Sequence, residues 1–168
     1  MEETGQTVQE TPKVQAEQTG ENGKNVGMPE CETMELIMES RSENEEFARV
    51  VAAVFASRLD PTLEEIDDVK TAVSEAVTNA EIHGYGGESG TITVEVEIEG
   101  REVTVVVEDY GIGIRDVEKA MEPMFTTDKT GTRSGMGFSF MEAFMDQVHV
   151  ESEPGKGTKV VMRKQIGR

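Results

Sequence analysis

The stretch TITVEVEIEGREVTVVVED, residues 91–109, decides the fold. Apolar residues alternate with Thr and Glu from Ile92 to Ile98 and return from Val103 to Val107, and this alternation is typical of strands with one buried face. Gly100 lies between the two runs and supplies a turn. The stretch therefore predicts an antiparallel hairpin whose apolar face packs against a second layer.

Two amphipathic helices are predicted upstream of the hairpin. Their starts have capping-box spacing, at Ser42 with Glu45 and at Thr62 with Glu65. The first helix stops at the pair that ends in Pro61, and the second reaches about Ile82, with apolar residues at helical spacing on one face. An alternating run from Met34 predicts a half-buried strand before both helices.

Downstream of the hairpin, helices and strands alternate again. We expect a short helix over residues 116–121, an irregular stretch over 122–135, a helix over 138–147, and a closing hairpin over 148–164. Helices and a mostly antiparallel, mixed sheet in two layers make an α+β sandwich, with the helices on one face of the sheet.

The composition is strongly acidic. Acidic residues outnumber basic ones by 34 to 16, for a formal net charge of -18, whereas direct contacts to nucleic acids need clustered Lys and Arg. The one cysteine, Cys31, cannot form an intrachain disulfide, and no apolar run approaches the roughly 18 residues of a membrane span. We therefore expect a cytoplasmic protein that binds neither nucleic acid nor membrane.

The N-terminal segment differs from the rest of the chain. Residues 1–33 are rich in Gln, Glu, Thr and Gly and show no apolar period. Such a segment cannot bury enough apolar surface to offset the entropy of ordering it. We predict a disordered extension over residues 1–33 and a single domain over 34–168.

One polar helix face is a candidate for chemistry. Glu75, Asn79 and His83 are spaced four residues apart, which places them on one side of an α-helix. An ordinary solvated face would have the same spacing. A glycine-rich loop follows the helix, and Asn79 occupies a position where Glu or Lys would be a better helix former, which favours a functional interpretation.

Two glycine turns are further candidates. In EDYGIG, residues 108–113, a carboxylate ends a strand and glycines let the backbone approach a flat ligand. In SGMGF, residues 134–138, a glycine turn leads into a helix and presents free backbone amides to a phosphate. Either segment alone is equally consistent with a plain loop. Neither fits the P-loop, the dinucleotide-binding turn or the catalytic loop of ordinary protein kinases.

Taken in order, EAVTNA, DYGIG and GMGF resemble the motifs of the GHKL, or Bergerat-fold, ATPase superfamily. The longer strings SENEEFAR (residues 42–49), LDPT (59–62), VSEAVTNA (73–80) and RSGMGF (133–138) resemble its small serine kinases that act as anti-sigma factors in sporulation. The resemblance covers about residues 34–165. It implies a two-layer Bergerat sandwich that binds ATP or ADP with Mg²⁺.

The resemblance also implies residue roles. Glu75 would be the general base and Asn79 a ligand of Mg²⁺. A nucleotide pocket would be formed by Asn79, Asp109, Gly111, Gly113, Thr127, Ser134, Gly135, Gly137 and Thr158, with residues 126–134 as a mobile lid. Arg49 would contact protein partners, although a solvent-facing arginine lying over the core is the alternative.

The resemblance implies a protein-serine kinase with two protein partners. It would sequester a sporulation sigma factor and phosphorylate an anti-anti-sigma protein on serine, and it would form a homodimer through the exposed edge of the first strand. Two alternatives stay open at this point. One is a nucleotide-gated clamp without productive kinase activity, and the other is the catalytic domain of a histidine kinase.

Overall fold

A computed structural model describes residues 31–123 and 136–167, and the central hairpin forms as predicted. Strand β2 (Thr91–Glu99) pairs antiparallel with β3 (Glu102–Asp109), and Val96 lies opposite Val105. Gly100 makes the turn with a φ of 60°. Buried and partly exposed residues alternate along both strands, so one face of the hairpin is buried. The prediction of a half-buried hairpin is confirmed.

The hairpin lies at the centre of a five-stranded sheet. Strand β1 (Cys31–Glu39) pairs with β2, and the closing hairpin consists of β4 (Gln147–Glu153) and β5 (Gly157–Gln165). The order is β1-β2-β3-β5-β4, and every neighbouring pair is antiparallel. β1 is therefore an edge strand, and it begins at Cys31 rather than at the predicted Met34.

Four α-helices complete the described parts of the chain: α1 (Ser42–Ala56), α2 (Leu63–Asn79), α3 (Val117–Met121) and α4 (Gly137–Phe144). A 3-10 turn, Ser57–Leu59, follows α1, and a π-helical turn, Ala80–Gly84, follows α2. α4 ends before the predicted residue 147, because Met145 is extended and Asp146 donates its backbone N–H to Arg163 of β5.

The two predicted capping boxes have different outcomes. At α2, the Thr62 side chain accepts a hydrogen bond from the Glu65 backbone and Glu65 accepts one from the Thr62 backbone, as predicted. At α1, the N-cap residue is Arg41 and provides no side-chain cap. The predicted box fails because both of its side chains contact α2 or the π turn: Ser42 donates to Glu81, and Glu45 accepts from Ser74.

The core lies between the helices and one face of the sheet. Small residues on α1, Ala48, Ala52 and Ala56, are fully buried and let this helix pack closely. The apolar face of α2, with Val69, Val73 and Val77, and the inner residues of β2 and β3 fill the remaining space. Burying one such valine stabilises the fold by about 1.5–3 kcal/mol. The structure is the predicted α+β sandwich, except that its described sheet is antiparallel throughout rather than mixed.

The structure bears on two other expectations. Within residues 31–123 and 136–167, no helix combines the length and the apolar character needed to cross a membrane. Residues 1–30 of the predicted disordered extension lie outside the described residues. Residues 31–33, which the sequence assigns to that extension, belong to β1.

Candidate functional site

The C-terminal half of α2 brings two polar side chains against the first residue of α4. A Cβ atom built on Gly137 would lie 3.1 Å from both polar atoms of the Asn79 amide and 3.2 Å from Glu75 Oε2. Glu75 and Asn79 share one helical face because they are four residues apart. A side chain at position 137 would press against both of them, so Gly137 permits the close approach of α4 to this face of α2.

The helix that carries the predicted stack of three polar residues changes type before His83. α2 ends at Asn79 and continues as the π turn Ala80–Gly84, in which the backbone N–H of Tyr85 bonds to the Ala80 carbonyl at 3.1 Å. A π turn contains more residues than an α turn, so the change at Ala80 alters the rotation between Asn79 and His83. Glu75 and Asn79 meet at Gly137, whereas the place of His83 in the stack stays a prediction.

The π turn brings Gly84 next to the end of β3. A Cβ atom built on Gly84 would lie 2.7 Å from Asp109 Oδ1, and the Gly84 carbonyl accepts the backbone N–H of Ile112 at 2.9 Å. π turns occur frequently at functional sites. The end of α2 and the EDYGIG turn therefore form one continuous structure, although they are far apart in sequence.

Asp109, the last residue of β3, is a buried carboxylate with only 4% of its surface exposed. Its Oδ1 accepts the Gly111 backbone N–H at 2.9 Å, and Thr158 of β5 lies opposite it in the sheet. Burial raises the pKa of the Asp109 carboxyl, although backbone hydrogen bonds from Gly111 and Thr158 act in the opposite direction. A buried carboxyl group with a shifted pKa is typical of a binding site.

The glycines of the EDYGIG turn are required by neighbouring backbone. A Cβ atom on Gly111 would lie 2.0 Å from the Gly84 carbonyl oxygen, and one on Gly113, where φ is 69°, would lie 2.2 Å from the Glu153 carbonyl oxygen. The Ile112 carbonyl accepts the Gly155 backbone N–H at 2.8 Å. The turn is thus held between the π turn and the β4–β5 turn.

Two side chains that the sequence interpretation did not select hold this turn in place. The Tyr85 hydroxyl accepts the Tyr110 backbone N–H at 2.9 Å and donates to the Thr91 carbonyl. Ser152 Oγ accepts the Ile114 backbone N–H at 2.8 Å and lies 2.9 Å from Thr158 Oγ1. The sequence signal for Tyr85 was its position directly after the helix that carries Asn79.

The remaining predicted site residues have two different outcomes. Thr127, Ser134 and Gly135, together with the predicted lid over residues 126–134, fall outside the described residues. Arg49 lies on α1 next to Glu45, whose carboxylate accepts the hydroxyl of Ser74 on α2. Arg49 is therefore connected through one residue to the helix that carries Glu75.

The oxygen donors of the site fit a hard cation with few protein ligands. The described part of the chain contains no group of three or more His, Cys, Asp or Glu residues that could enclose a metal. Mg²⁺ usually keeps several waters and takes one or two protein oxygens beside substrate phosphates. The amide oxygen of Asn79 beside Gly137 fits that pattern as a protein ligand.

Comparisons of sequence identify the family of this chain. The family model described as "Histidine kinase-like ATPase domain" matches residues 38–164. A relative named "Anti-sigma F factor" from Clostridium acetobutylicum is 62% identical over 133 residues, which cover 79% of this chain and 93% of the relative. Another of the same name, from Thermoanaerobacter sp., is 58% identical over 134 residues, 80% of this chain and 94% of the relative.

Comparisons of structure agree on the fold. The RsbU and RsbW domains of Rv1364c from Mycobacterium tuberculosis match with a TM-score of 0.59 at 18% identity, over 82% of this chain and 33% of that one. The catalytic domain of the histidine kinase ThkA matches with a TM-score of 0.50 at 19% identity, over 80% of this chain and 96% of that one. The chain therefore belongs to the histidine kinase-like, GHKL-type ATPase family, in the group of the anti-sigma F factors.

Proposed function

We propose that this protein is an ATP-dependent protein-serine kinase that also binds and inhibits a sporulation sigma factor. The observation that carries the proposal is the convergence of Glu75 and Asn79 on Gly137 at the start of α4. Among the described residues, Met136 provides no side-chain cap at the start of α4, and the first backbone amides of a helix can bind a phosphate. A base, a metal ligand and a phosphate site thus lie within contact distance.

Asp109 serves as the acceptor for the adenine base. A carboxylate at the closed end of a glycine-lined turn accepts the exocyclic amino group of adenine, and the close packing of Gly84 against Asp109 and of Gly111 against the Gly84 carbonyl fixes the position of that carboxylate. Burial strengthens this hydrogen bond because the surroundings have a low dielectric constant. Thr158 lies opposite Asp109 in the sheet and completes the polar side of the pocket.

Phosphate transfer follows from the positions of Glu75 and Asn79. The Glu75 carboxylate takes the proton of a substrate serine hydroxyl, the serine oxygen bonds to the γ-phosphorus, and the bond from that phosphorus to the β-phosphate oxygen breaks to release ADP. Asn79 would hold Mg²⁺ through its amide oxygen, and the bound ion would supply positive charge beside the phosphate oxygens. Gly137 lets the backbone of α4 approach that phosphate.

The protein partners are proposed from the relatives. The curated relatives bear the name "Anti-sigma F factor", and one structure with the same fold joins an RsbU to an RsbW domain. We propose that a sigma F-type factor and its anti-anti-sigma antagonist both contact the exposed part of Arg49, and that the antagonist is the serine substrate. The chain acts as a homodimer in this proposal, with the edge strand β1 as one side of the contact.

Transfer of labelled phosphate from ATP to the antagonist tests the proposal. Glu75→Gln keeps the size of the side chain but removes the base, so transfer should fall by about 100- to 10,000-fold while ATP binding persists. Glu64→Gln, which makes the same charge change on an exposed residue at the start of α2, is the matched control and should retain full transfer.

The outcomes separate the alternatives. An antagonist that stays unlabelled with the unaltered protein, while sigma factor binding depends on nucleotide, indicates a clamp and refutes the kinase. Undiminished transfer by Glu75→Gln refutes the assigned base. Label that appears on His83 or His149 of the protein itself, rather than on the antagonist, supports a histidine kinase-like activity instead.

A further inference from the structure

A series of side-chain contacts links α2 to α1 beside the candidate site. The Ser74 hydroxyl donates a hydrogen bond to Glu45 Oε1, across the contact between the two helices. The same oxygen of Glu45 lies 3.8 Å from Nε of Arg49, one helical turn further along α1. Ser74 directly precedes Glu75, so this series begins at the residue next to the proposed base and ends at the arginine proposed to contact partners.

The inner part of the Arg49 side chain is buried, whereas its outer part is accessible. Nε is buried and has no hydrogen-bond partner among the described residues, so the nearby Glu45 carboxylate is what compensates its charge there. Nη2 lies 3.5 Å from Glu46, whose side chain is 74% exposed. With 37% of its own side chain exposed, Arg49 can present the outer guanidinium nitrogens to another protein.

Helix propensity alone does not favour serine at position 74. Ser74 lies inside α2, where alanine is a better helix former. A serine inside a helix commonly bonds to the carbonyl one turn earlier, but here the hydroxyl donates to α1. The hydroxyl therefore serves a contact between helices rather than α2 itself.

We infer that Ser74 and Glu45 are positioning residues that hold Arg49 in its partner-binding orientation, an inference that rests on the proposed function. A free arginine has many rotamers, and ordering it on binding opposes association. Glu45 limits these rotamers by its charge, and Ser74 fixes the Glu45 carboxylate. Partner binding at Arg49 would in turn act on the helix turn that contains Glu75.

A double-mutant cycle tests the inference by titration of purified sigma F factor from the source organism into the full chain with saturating Mg-ATP. Ser74→Ala should weaken sigma binding by about 2- to 10-fold, since one side chain loses its preorganisation. Ser74→Thr keeps the hydroxyl and should restore binding. In an Arg49→Ala background, Ser74→Ala should have no further effect on sigma binding, because the side chain that Ser74 helps to position is absent.

Two controls accompany the cycle. Glu45→Gln keeps an acceptor for Ser74 but removes the charge beside Arg49, so it should weaken sigma binding like Ser74→Ala. Glu46→Gln changes the more exposed partner of Arg49 and should change binding by less than about twofold, as expected for a surface pair. ATP affinity, measured separately, should be the same in all these variants.

Each result has a definite meaning. If the unaltered protein fails to bind sigma F, the proposed function fails and the inference fails with it. If Arg49→Ala weakens binding but Ser74→Ala does not, the proposed function stands and the positioning role is refuted. Equal losses from Ser74→Ala with and without Arg49 would show a general structural effect and would also refute it.

Discussion

Replacing Asp109 by asparagine tests the role of its carboxylate in ATP binding and, separately, in the stability of the fold. Asparagine has nearly the same shape, but only one of its two polar atoms accepts hydrogen bonds, whereas Asp109 receives backbone hydrogen bonds from both Gly111 and Thr158. An adenine amino group would lose a charged acceptor, which is worth about 1.5–3 kcal/mol. We therefore expect Asp109→Asn to weaken ATP binding by about 10- to 150-fold.

Stability should respond to pH in a defined direction. Burial raises the pKa of the folded Asp109 carboxyl above its ordinary value of 3.8. A raised pKa contributes stability below the unfolded pKa, and this contribution is lost as the pH rises through the folded pKa. The asparagine side chain does not titrate, so the unfolding temperature of Asp109→Asn minus that of the unaltered protein should increase from about pH 4 to about pH 7.

Isothermal titration calorimetry with ATP at saturating Mg²⁺, together with thermal unfolding without nucleotide, tests both expectations. Asp67→Asn is the matched control, since it makes the same charge change on the exposed surface of α2 and should leave ATP affinity unaltered. An ATP affinity of Asp109→Asn within twofold of the unaltered protein would refute the adenine-acceptor role. A stability difference that decreases with rising pH would show that the folded pKa of Asp109 is not raised and would refute this expectation.

Three further substitutions test the structure around the site. Gly111→Ala places a Cβ atom 2.0 Å from the Gly84 carbonyl oxygen and should destabilise the protein by about 1–3 kcal/mol in urea unfolding, with loss of ATP binding. Tyr85→Phe removes the acceptor of the Tyr110 backbone N–H and should cost about 1 kcal/mol in the same assay while weakening ATP binding. Thr62→Ala removes a helix cap far from the site and should also cost about 1 kcal/mol, but with unaltered ATP affinity. If all three variants bind ATP with equal affinity, the assignment of the nucleotide pocket is refuted.

The parts of the fold that follow a local period could be predicted from the sequence. Alternation from Ile92 to Val107 indicated the central hairpin and its buried face, and the cap at Thr62 indicated the start of α2. The pairing of Glu75 with Asn79 follows from helical spacing alone. These features depend on residues that are close in sequence, so a single window of the chain contains the necessary information.

The contacts between distant segments could not be predicted in the same way. Ser42 and Glu45 have capping-box spacing, but both side chains form hydrogen bonds with partners on the second helix or the π turn instead. The approach of Gly84 to Asp109 depends on the π turn, and no periodic pattern of apolar residues in the sequence predicts such a turn. Sequence patterns describe what a segment prefers alone, whereas these side chains bond to partners that only the packed sandwich supplies.

The wide turn after Asn79 has a practical consequence for comparing this chain with distant relatives. A template that continues as a regular α-helix there would hold fewer residues over the same length. An alignment without a gap would then shift the following residues by one, and His83 would replace Gly84 beside the Asp109 carboxylate. With Oδ1 only 2.7 Å from the nearest possible Cβ, an imidazole cannot fit there, so a gap within residues 80–84 is the physically consistent placement.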